Sequence, residues 1–203
     1  MKINILEKSM ALGLIFSILL SITDFSSKCQ NINKKILRFH VLANSDSPED
    51  QALKLKVRDR ILKDTSKNLL NTANKEEAKS ILKNSINEIK SSAKNEIFNN
   101  GYNYNVNVSL TNCNHFNTKD YNSITLPAGN YDALKIEIGE GKGKNFFCVL
   151  FPPMCISAAT ETSNVENVFN ESEKELVKEK IKYRFKFKIV EWWEDVKNIF
   201  KKK

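Results

Sequence analysis

The order of apolar and polar positions predicts a buried strand at residues 36–43. This run is apolar except for Arg38 and His40, which two-residue alternation places on the same face. The polar residues 44–46 follow directly and predict a tight turn. In α/β architectures, a turn at the carboxyl end of a strand often carries function, so this turn is a candidate site.

A helix is predicted directly after this turn. Ser47 supplies an oxygen for an N-cap, Pro48 fits the first helical position, and acidic residues stand near the positive end of the helix dipole. The helical pattern continues through Arg60 or beyond. Its apolar positions form stripes on two opposite sides, which predicts a helix packed between two layers. These positions are Leu53, Val57 and Ile61 on one side and Leu55, Leu62 and Leu69 on the other.

A second helix is predicted from Asn74, whose side chain can cap it and which is followed three residues later by Glu77. Gly101 suits a left-handed position just past the end of this helix. One continuous apolar stripe between these points predicts a single long helix docked on the core. The stripe comprises Ala78, Leu82, Ile86, Ile89, Ala93 and Ile97.

Four further stretches predict strands. Residues 102–110, 131–138 and 183–189 alternate between apolar and polar positions, which is typical of strands with one buried face. Residues 146–151 are apolar throughout, so a central strand covered on both faces is predicted there. The Gly-rich residues 139–144 predict a hairpin turn before it. Together these elements predict an α+β fold, with a mainly antiparallel sheet of about five strands and two long helices packed on it.

The N-terminus predicts an export signal. Lys2 and Lys8 precede an apolar core at residues 10–22, which is short for a spanning helix and fits the central region of a signal peptide. Whether the signal is cleaved stays open. Residues 23–35 are polar and small, which predicts a linker to the first strand with Cys29 in a flexible leader.

Domain organisation follows from these patterns. We expect a signal peptide or N-terminal membrane segment (1–28), a main globular domain (29–156), a polar connection (157–172) and a basic helix–strand–helix extension (173–203). The chain carries 32 basic and 24 acidic side chains, which gives a net charge of +8. This balance suits an anionic membrane or phosphate-rich partner, or a solvated basic surface. Export argues against nucleic acid as the partner.

The four cysteines are compatible with export. Cys148 and Cys155 lie seven positions apart. A bridge between them would close a small loop and stabilise the fold by about 2–3 kcal/mol if the geometry permits. Together with Cys113 and His115 they carry zinc-ligand atoms, but the spacing matches no usual zinc finger, so no metal is expected.

Two motifs invite a catalytic interpretation. The glycines and Lys144 of residues 139–144 are similar to a phosphate loop, but such a loop precedes a helix, whereas here a strand is predicted next. His40 with Asp46 or Asp50 offers an acid–base pair, although no nucleophile with a matching arrangement is present. An extracytoplasmic hydrolase of wall or peptide and a passive module held by the basic end are kept as alternatives. No catalytic residue and no cofactor is predicted.

Three blocks of the chain resemble the signature blocks of the stage II sporulation protein R family. They are LRFHVLANSDSPEDQALKLKVRD (37–59), LPAGNYDAL (126–134) and IGEGKGKNFFCVLFPPMC (138–155). Phe146 and Phe147 stand where the family usually has two tryptophans, which is a conservative departure. Because the blocks are long and unusual in composition, the resemblance is specific. It covers almost all of the chain after the leader and is looser in the C-terminal part.

The resemblance implies a secreted signalling protein of spore-forming bacteria, made in the forespore and exported to the space between the two membranes. There it would activate a membrane-embedded aspartic protease of the mother cell, which cleaves the pro-sequence of an early mother-cell sigma factor. The chain would then be no enzyme and would bind no small-molecule substrate. Contact with a membrane surface, and tethering by an uncleaved N-terminus, stay open.

The candidate contact surface combines the first turn, the helix start and the Gly-rich turn. Its residues are Asn44, Ser45, Asp46, Glu49, Asp50, Gln51, Gly139, Gly141, Lys142, Gly143 and Lys144. A second group is expected to support the fold, and it comprises His40, Pro127, Gly129, Cys148 and Cys155. Such a surface can activate a partner only by binding its active state more tightly than its inactive state.

Overall fold

The computed structural model describes residues 5–121, 124–155, 168–178, 183 and 187–192. It confirms the predicted α+β class with a mainly antiparallel sheet. The described helices are α1 (Ile5–Lys35), α2 (Pro48–Leu70), α3 (Lys75–Asn84), α4 (Ile86–Asn99) and α5 (Glu171–Lys178). The described strands are β1 (Leu37–Leu42), β2 (Val106–Phe116), β3 (Lys119–Asp120), β4 (Thr125–Leu126), β5 (Gly129–Ile138) and β6 (Asn145–Phe151).

The first predicted strand, β1, lies inside the main sheet. The strand order is β2-β5-β1-β6, with β1 parallel to β5 and antiparallel to β6, and with β2 antiparallel to β5. β3 and β4 pair in a separate two-stranded sheet. Both faces of β1 are covered, since one carries the fully buried Leu37, Phe39 and Val41 and the other carries the buried Arg38 and the half-buried His40.

The predicted hairpin between β5 and β6 is wrong, since β1 separates these two strands. Residues 139–144 therefore cross the end of β1 instead of turning back on β5. β6 is also not a central strand, because it lies at the edge of the sheet. Its apolar sequence is explained by its C-terminal half, where Val149 is buried on one face of the sheet and Leu150 and Phe151 are buried on the other.

Two apolar clusters cover the two faces of the sheet. On the first face, α2, α3 and α4 pack against alternate residues of β1, including Phe39 and Val41. On the second face, α5 and the C-terminal part of α1 enclose a cluster that contains Tyr131. Arg38 and His40 both contact the Phe116 ring of this second cluster, so the alternation predicted along β1 is confirmed.

The structure corrects the prediction for residues 23–35, which belong to helix α1 and are not a linker. Phe25, Cys29 and Ile32 are buried in the second cluster, so Cys29 does not lie in a flexible leader. Their spacing of four and three residues places them on one helical face, which the polar residues between them concealed. Among the described helices, none is both long enough and apolar enough to cross a membrane.

The predicted helix caps are present, but the helices differ from the prediction in two ways. The Asn74 side chain accepts a hydrogen bond from the Glu77 backbone N–H at 2.9 Å, and Gly101 has φ +84°. However, the single helix predicted from Asn74 is broken at Ser85 into α3 and α4. The second predicted stripe of α2 is only partly buried, since Leu55 is 40% exposed whereas Leu62 packs against the core and Leu69 is fully buried.

Two other predicted strands also need correction. β2 begins and ends later than the strand predicted at residues 102–110, and its polar end still pairs with β5 after a register shift. Residues 187–192 are helical, so the strand predicted at 183–189 is wrong. Phe187 and Val190 are both buried and lie three positions apart, which suits one face of a helix. Most of the predicted polar connection and the last eleven residues lie outside the described residues.

Candidate functional site

The candidate site forms where β1 ends and α2 begins. Ser47 is the N-cap of α2, and its Oγ accepts a hydrogen bond from the backbone N–H of Asp50 at 3.2 Å. Pro48 stands in the first helical turn, as predicted. The Ser45 Oγ accepts a further bond from the backbone N–H of Ser47 at 3.2 Å. Side chains of the turn thus satisfy backbone donors that the helix leaves free.

Asp50 is the buried anion of the site, with 4% of its surface exposed. Its Oδ2 accepts hydrogen bonds from Asn44 Nδ2 at 2.9 Å and from Ser45 Oγ at 2.6 Å. Burial alone would raise the pKa of Asp50, but the bonds from Ser45, Asn44 and Tyr104 outweigh it and hold the pKa below its ordinary value of 3.8. The carboxylate is therefore charged at neutral pH and ties the turn to the start of α2.

A buried cation, Lys54, lies one turn further along α2. Lys54 is 5% exposed, and its Nζ donates to Gln51 Oε1 at 2.6 Å and to the Lys144 carbonyl oxygen at 2.8 Å. Gln51 donates from Nε2 to the Ser45 carbonyl oxygen at 2.9 Å. Burial lowers the pKa of Lys54. Sequence reasoning missed this residue, and the only available signal was its position three residues after Gln51.

The Gly-rich segment folds onto the same turn. The backbone N–H of Glu140 donates to Asn44 Oδ1 at 3.0 Å, and that of Lys142 donates to the Asn44 carbonyl oxygen at 3.2 Å. The backbone N–H of Lys144 donates to Asp46 Oδ1 at 2.6 Å. The structure thus brings together two groups of residues that are almost 100 positions apart in the chain.

Two glycines allow this close approach. A Cβ on Gly143 would lie 2.1 Å from the Ser45 carbonyl oxygen, and a Cβ on Gly139 would lie 2.2 Å from Asn44 Oδ1. Gly139 also has φ +59°, a left-handed conformation that favours glycine. The segment leads into β6, so it lacks the following helix whose N-terminus holds the anion in a phosphate loop.

The predicted contact residues separate into a supporting group and an exposed group. The residues of the supporting group form hydrogen bonds within the domain or are glycines at tight turns and close approaches. They are Asn44, Ser45, Asp50, Gln51, Gly139, Gly141 and Gly143. The exposed charged group, which we call the charged turn, is Asp46, Glu49, Glu140, Lys142 and Lys144. Sequence reasoning omitted Glu140, whose carboxylate pairs with Lys142 at 2.7 Å.

His40 lies apart from the charged turn. Its ring centroid is 4.6 Å from that of Phe147 and 5.9 Å from that of Phe116, on the second face of the sheet. Burial lowers the pKa of His40. Because α2 packs on the first face, the acid–base pair of His40 with Asp46 or Asp50 is not assembled.

The other residues that were expected to support the fold, which are Pro127, Gly129, Cys148 and Cys155, make close contacts within the domain. The Pro127 carbonyl oxygen accepts a hydrogen bond from the buried Tyr131 hydroxyl. A Cβ on Gly129 would lie 2.2 Å from an Asn33 side-chain nitrogen. Cys148 and Cys155 are joined by a disulfide, with their Cα atoms 6.0 Å apart. These contacts lie beside the sheet and not in the charged turn.

Arg38 is a buried cation to which the sequence analysis gave no role. It is 1% exposed, and its guanidinium carbon lies 4.3 Å from the Phe116 ring centroid and 4.9 Å from that of Tyr131. Its Nη2 donates to the Tyr121 hydroxyl at 2.9 Å. The two ring faces and the hydroxyl stabilise the charge inside the second cluster. Arg38 therefore joins β1 to the strands and loop around it.

The fold and the site define an α+β domain that presents a hydrogen-bonded, charged turn. Within the described residues, no group of three or more His, Cys, Asp or Glu side chains is placed to hold a metal ion. The charged turn exposes three acidic and two basic side chains.

The comparisons with known proteins establish the family. The family model of stage II sporulation protein R matches residues 33–161, which is more than half of the chain, and the chain belongs to this family. It is 37% identical over 147 residues to stage II sporulation protein R of Bacillus subtilis (strain 168), covering 72% of this chain and 64% of that relative. The match thus spans slightly less than two thirds of the relative. No solved structure matches the chain.

Family membership confirms the resemblance inferred from the three sequence blocks, all of which lie inside the matched region. It also supports a function in sporulation.

Proposed function

We propose that this chain is a secreted sporulation signalling protein, made in the forespore and exported to the space between the two membranes. There it activates a membrane-embedded aspartic protease of the mother cell, and the protease removes the pro-sequence of an early mother-cell sigma factor. Membership of the stage II sporulation protein R family supports the sporulation part of this proposal. The chain triggers the protease and does not itself cleave the precursor.

The observation that carries the proposal is the charged turn. Its side chains are exposed, while the backbone beneath them is held by hydrogen bonds to Asn44 and Asp46. A surface that is already ordered loses little conformational entropy on binding. The turn carries three acidic and two basic residues. A mixture of both signs favours a protein partner over an anionic membrane, which attracts only basic groups.

Activation requires the turn to distinguish two states of the protease. The turn must bind the active arrangement more tightly, because a ligand with equal affinity for both states shifts no population. Each tenfold difference in affinity corresponds to about 1.4 kcal/mol. Removing one or two ion pairs at this contact is therefore enough to lower the active fraction of the protease measurably.

The proposal is tested by reconstitution in a non-sporulating host. The chain, the membrane protease and the sigma precursor are co-expressed, and the size of the precursor is followed on a gel. We expect shortening only when the chain is exported and the protease is present. Shortening without the protease would show that the chain is itself a hydrolase. No shortening with an exported, folded chain would favour a passive binding module.

Charge-reversed variants connect the activity to the charged turn. Glu49→Lys and Lys142→Glu change exposed side chains, so both variants should fold and should reduce precursor processing. Lys90→Glu on the exposed face of α4 is the matched control and should leave processing unchanged. Asp50 is unsuitable for charge reversal because it is buried and accepts bonds from Asn44 and Ser45. Full processing by both turn variants would exclude the turn as the contact.

A further inference from the structure

Among the described residues, the outer edge of β6 has backbone partners at one end and none at the other. At the covered end, the Val149 backbone nitrogen lies 3.0 Å from Cys155 Sγ, and the Val149 carbonyl oxygen accepts from the Met154 backbone N–H at 3.3 Å. These groups point away from the main sheet, toward the segment that the disulfide to Cys148 holds in place. The disulfide segment thus occupies the edge at Val149.

Nearer the start of the strand, the outward backbone groups have no backbone partner among the described residues. Residues 145–149 pair with β1 in regular antiparallel register, from Leu42 opposite Asn145 to Arg38 opposite Val149. In such a ladder, alternate residues direct both N–H and C=O outward. Because the backbone N–H and C=O of Val149 point outward, those of Phe147 and Asn145, two and four residues earlier, point outward too. In the described part of the chain, no backbone hydrogen bond outside the strand ladder reaches either residue.

We propose that this open edge, at Asn145 and Phe147, pairs with an extended segment of the protein that the chain activates. Exposed strand edges bind other strands unless they are guarded, and many recognition domains use this mode of binding. The proposal rests on the proposed function for the existence of a partner. It adds that the partner contributes backbone hydrogen bonds as well as side-chain contacts.

The side chains along the open edge indicate which segment fits. On the first face, the Arg58 guanidinium carbon lies 4.6 Å from the Phe146 ring centroid, and the exposed Lys144 precedes it on the same side by alternation. On the second face, the half-buried Phe147 packs on His40. An incoming strand therefore meets aromatic rings on both faces and positive charge on one. An extended segment with apolar residues and a carboxylate opposite Lys144 matches this edge.

The edge is continuous with the charged turn. Lys144 belongs to the turn, its backbone N–H donates to Asp46, and Asn145 is the next residue. A partner that contacts the charged turn thus reaches the strand edge without a gap. The disulfide segment at Val149 limits the open edge to its first few residues, so the strand that binds there is short.

The test removes one outward donor without changing the core. Asn145→Pro lacks the backbone N–H, and proline is tolerated at the first residue of an edge strand. Asn145→Ala keeps the N–H and is the matched control for the lost side chain. In the processing assay, we expect Asn145→Pro to lower activation about tenfold, as for about 1.4 kcal/mol of lost binding, and Asn145→Ala to change it less than about twofold. Melting temperatures of the two variants check that both are folded.

Amide hydrogen exchange gives a second, independent measurement. With the wild-type chain bound to the detergent-solubilised protease, the Phe147 amide should exchange at least about tenfold more slowly than in the free chain. Equal exchange in the two states, or equal activation by both Asn145 variants when both are folded, overturns the edge pairing. If Asn145→Pro is unfolded, the exchange measurement alone decides. Failure of the wild-type chain to trigger processing would instead count against the proposed function.

Discussion

The Ser45 hydroxyl donates a hydrogen bond to the buried Asp50 carboxylate at 2.6 Å, and this bond joins the end of β1 to the start of α2. The same Ser45 presents its carbonyl oxygen to Gln51 and leaves no room for a side chain at Gly143. Ser45 thus contacts both the start of α2 and the Gly-rich segment at residues 139–144.

Asp50→Ala should destabilise the domain by about 2–4 kcal/mol, because it leaves the Asn44 and Ser45 donors without their charged acceptor in a buried place. Glu49→Ala is the matched control, since Glu49 is exposed in the same helical turn and should change the unfolding free energy by about 0.5 kcal/mol or less. Urea unfolding followed by circular dichroism measures both. Similar losses for the two variants would contradict a special role for Asp50.

Asp132 should contribute stability that disappears in acid. Burial opposes its charge, but Lys75 and Lys79, which donate to its Oδ2 at 2.9 and 3.0 Å, lower its pKa below the ordinary 3.8. A carboxylate with a lowered folded-state pKa stabilises fully above 3.8 and loses that stability as the pH falls through the folded-state pKa.

The measurement for Asp132 is the unfolding free energy between about pH 6 and about pH 2 for the wild type and for Asp132→Asn. At neutral pH, the variant should be less stable by about 1 kcal/mol. The difference should narrow as the pH falls below 3.8, where the carboxylate of the unfolded chain binds a proton, and should vanish below the lowered pKa of the folded state. A constant difference across this range would show that the charge of Asp132 contributes nothing.

Gly143→Ala should displace the Gly-rich segment from the turn. The added Cβ would lie 2.1 Å from the carbonyl oxygen of Ser45 and 2.6 Å from its carbonyl carbon, which are backbone atoms and cannot move aside alone. A loss of about 3 kcal/mol or more in unfolding free energy is expected.

Gly141→Ala is the matched control for Gly143→Ala. Its Cβ would meet Glu137 at an ordinary 3.6 Å, so only the strain of its φ of +62° remains, which amounts to about 1–2 kcal/mol. Denaturant titration distinguishes the two variants, and the processing assay should show the larger defect for Gly143→Ala. Equal stability losses would mean that the segment approaches the turn less closely than the structure shows.

Reduction of the disulfide between Cys148 and Cys155 should lower the unfolding free energy by about 2–3 kcal/mol, because the bridge restricts the unfolded chain. The double variant Cys148→Ser with Cys155→Ser should show the same loss without a reductant. The control is its response to dithiothreitol, which should be absent although the buried Cys29 remains. Wild-type stability that is insensitive to dithiothreitol would contradict the prediction.

Ile32→Ala should cost about 2–4 kcal/mol, because Ile32 is fully buried in the second cluster and its truncation leaves a cavity. Ile5→Ala, at the other end of α1, is the matched control and should have little effect, since Ile5 is 86% exposed. Thermal unfolding of the two variants measures the difference. If Ile32→Ala is as stable as Ile5→Ala, residues 23–35 would act as the linker that their polar sequence predicted.

Local signals in the sequence were sufficient where neighbouring residues decide the structure. The N-caps at Ser47 and Asn74 and the left-handed Gly101 are settled by atoms within a few residues of each position. The alternation of Arg38 and His40 with the apolar residues of β1 follows from the strand period of two. The three long sequence blocks are also local features, and they were enough to identify the family.

Sequence reasoning failed where distant segments decide the structure. β5 and β6 are joined by a short Gly-rich segment, and nothing local shows that β1 is inserted between them. The docking of Phe25, Cys29 and Ile32 was hidden because a stripe of three apolar residues is too sparse to distinguish a buried helix from a linker. The role of Lys54 depends on a carbonyl oxygen 90 positions away.

The sequence by itself determined the fold class, the N-caps of α2 and α3, and most residues of the candidate site, although not Lys54 or Glu140. Only the tertiary structure decided which of those residues are exposed. Asp46 and Asp50 are both acidic and stand four positions apart, yet one faces the solvent and the other is buried by Asn44, Ser45 and the start of α2. The physical reason is that exposure depends on atoms brought close by folding, whereas capping and alternation depend on neighbours along the chain.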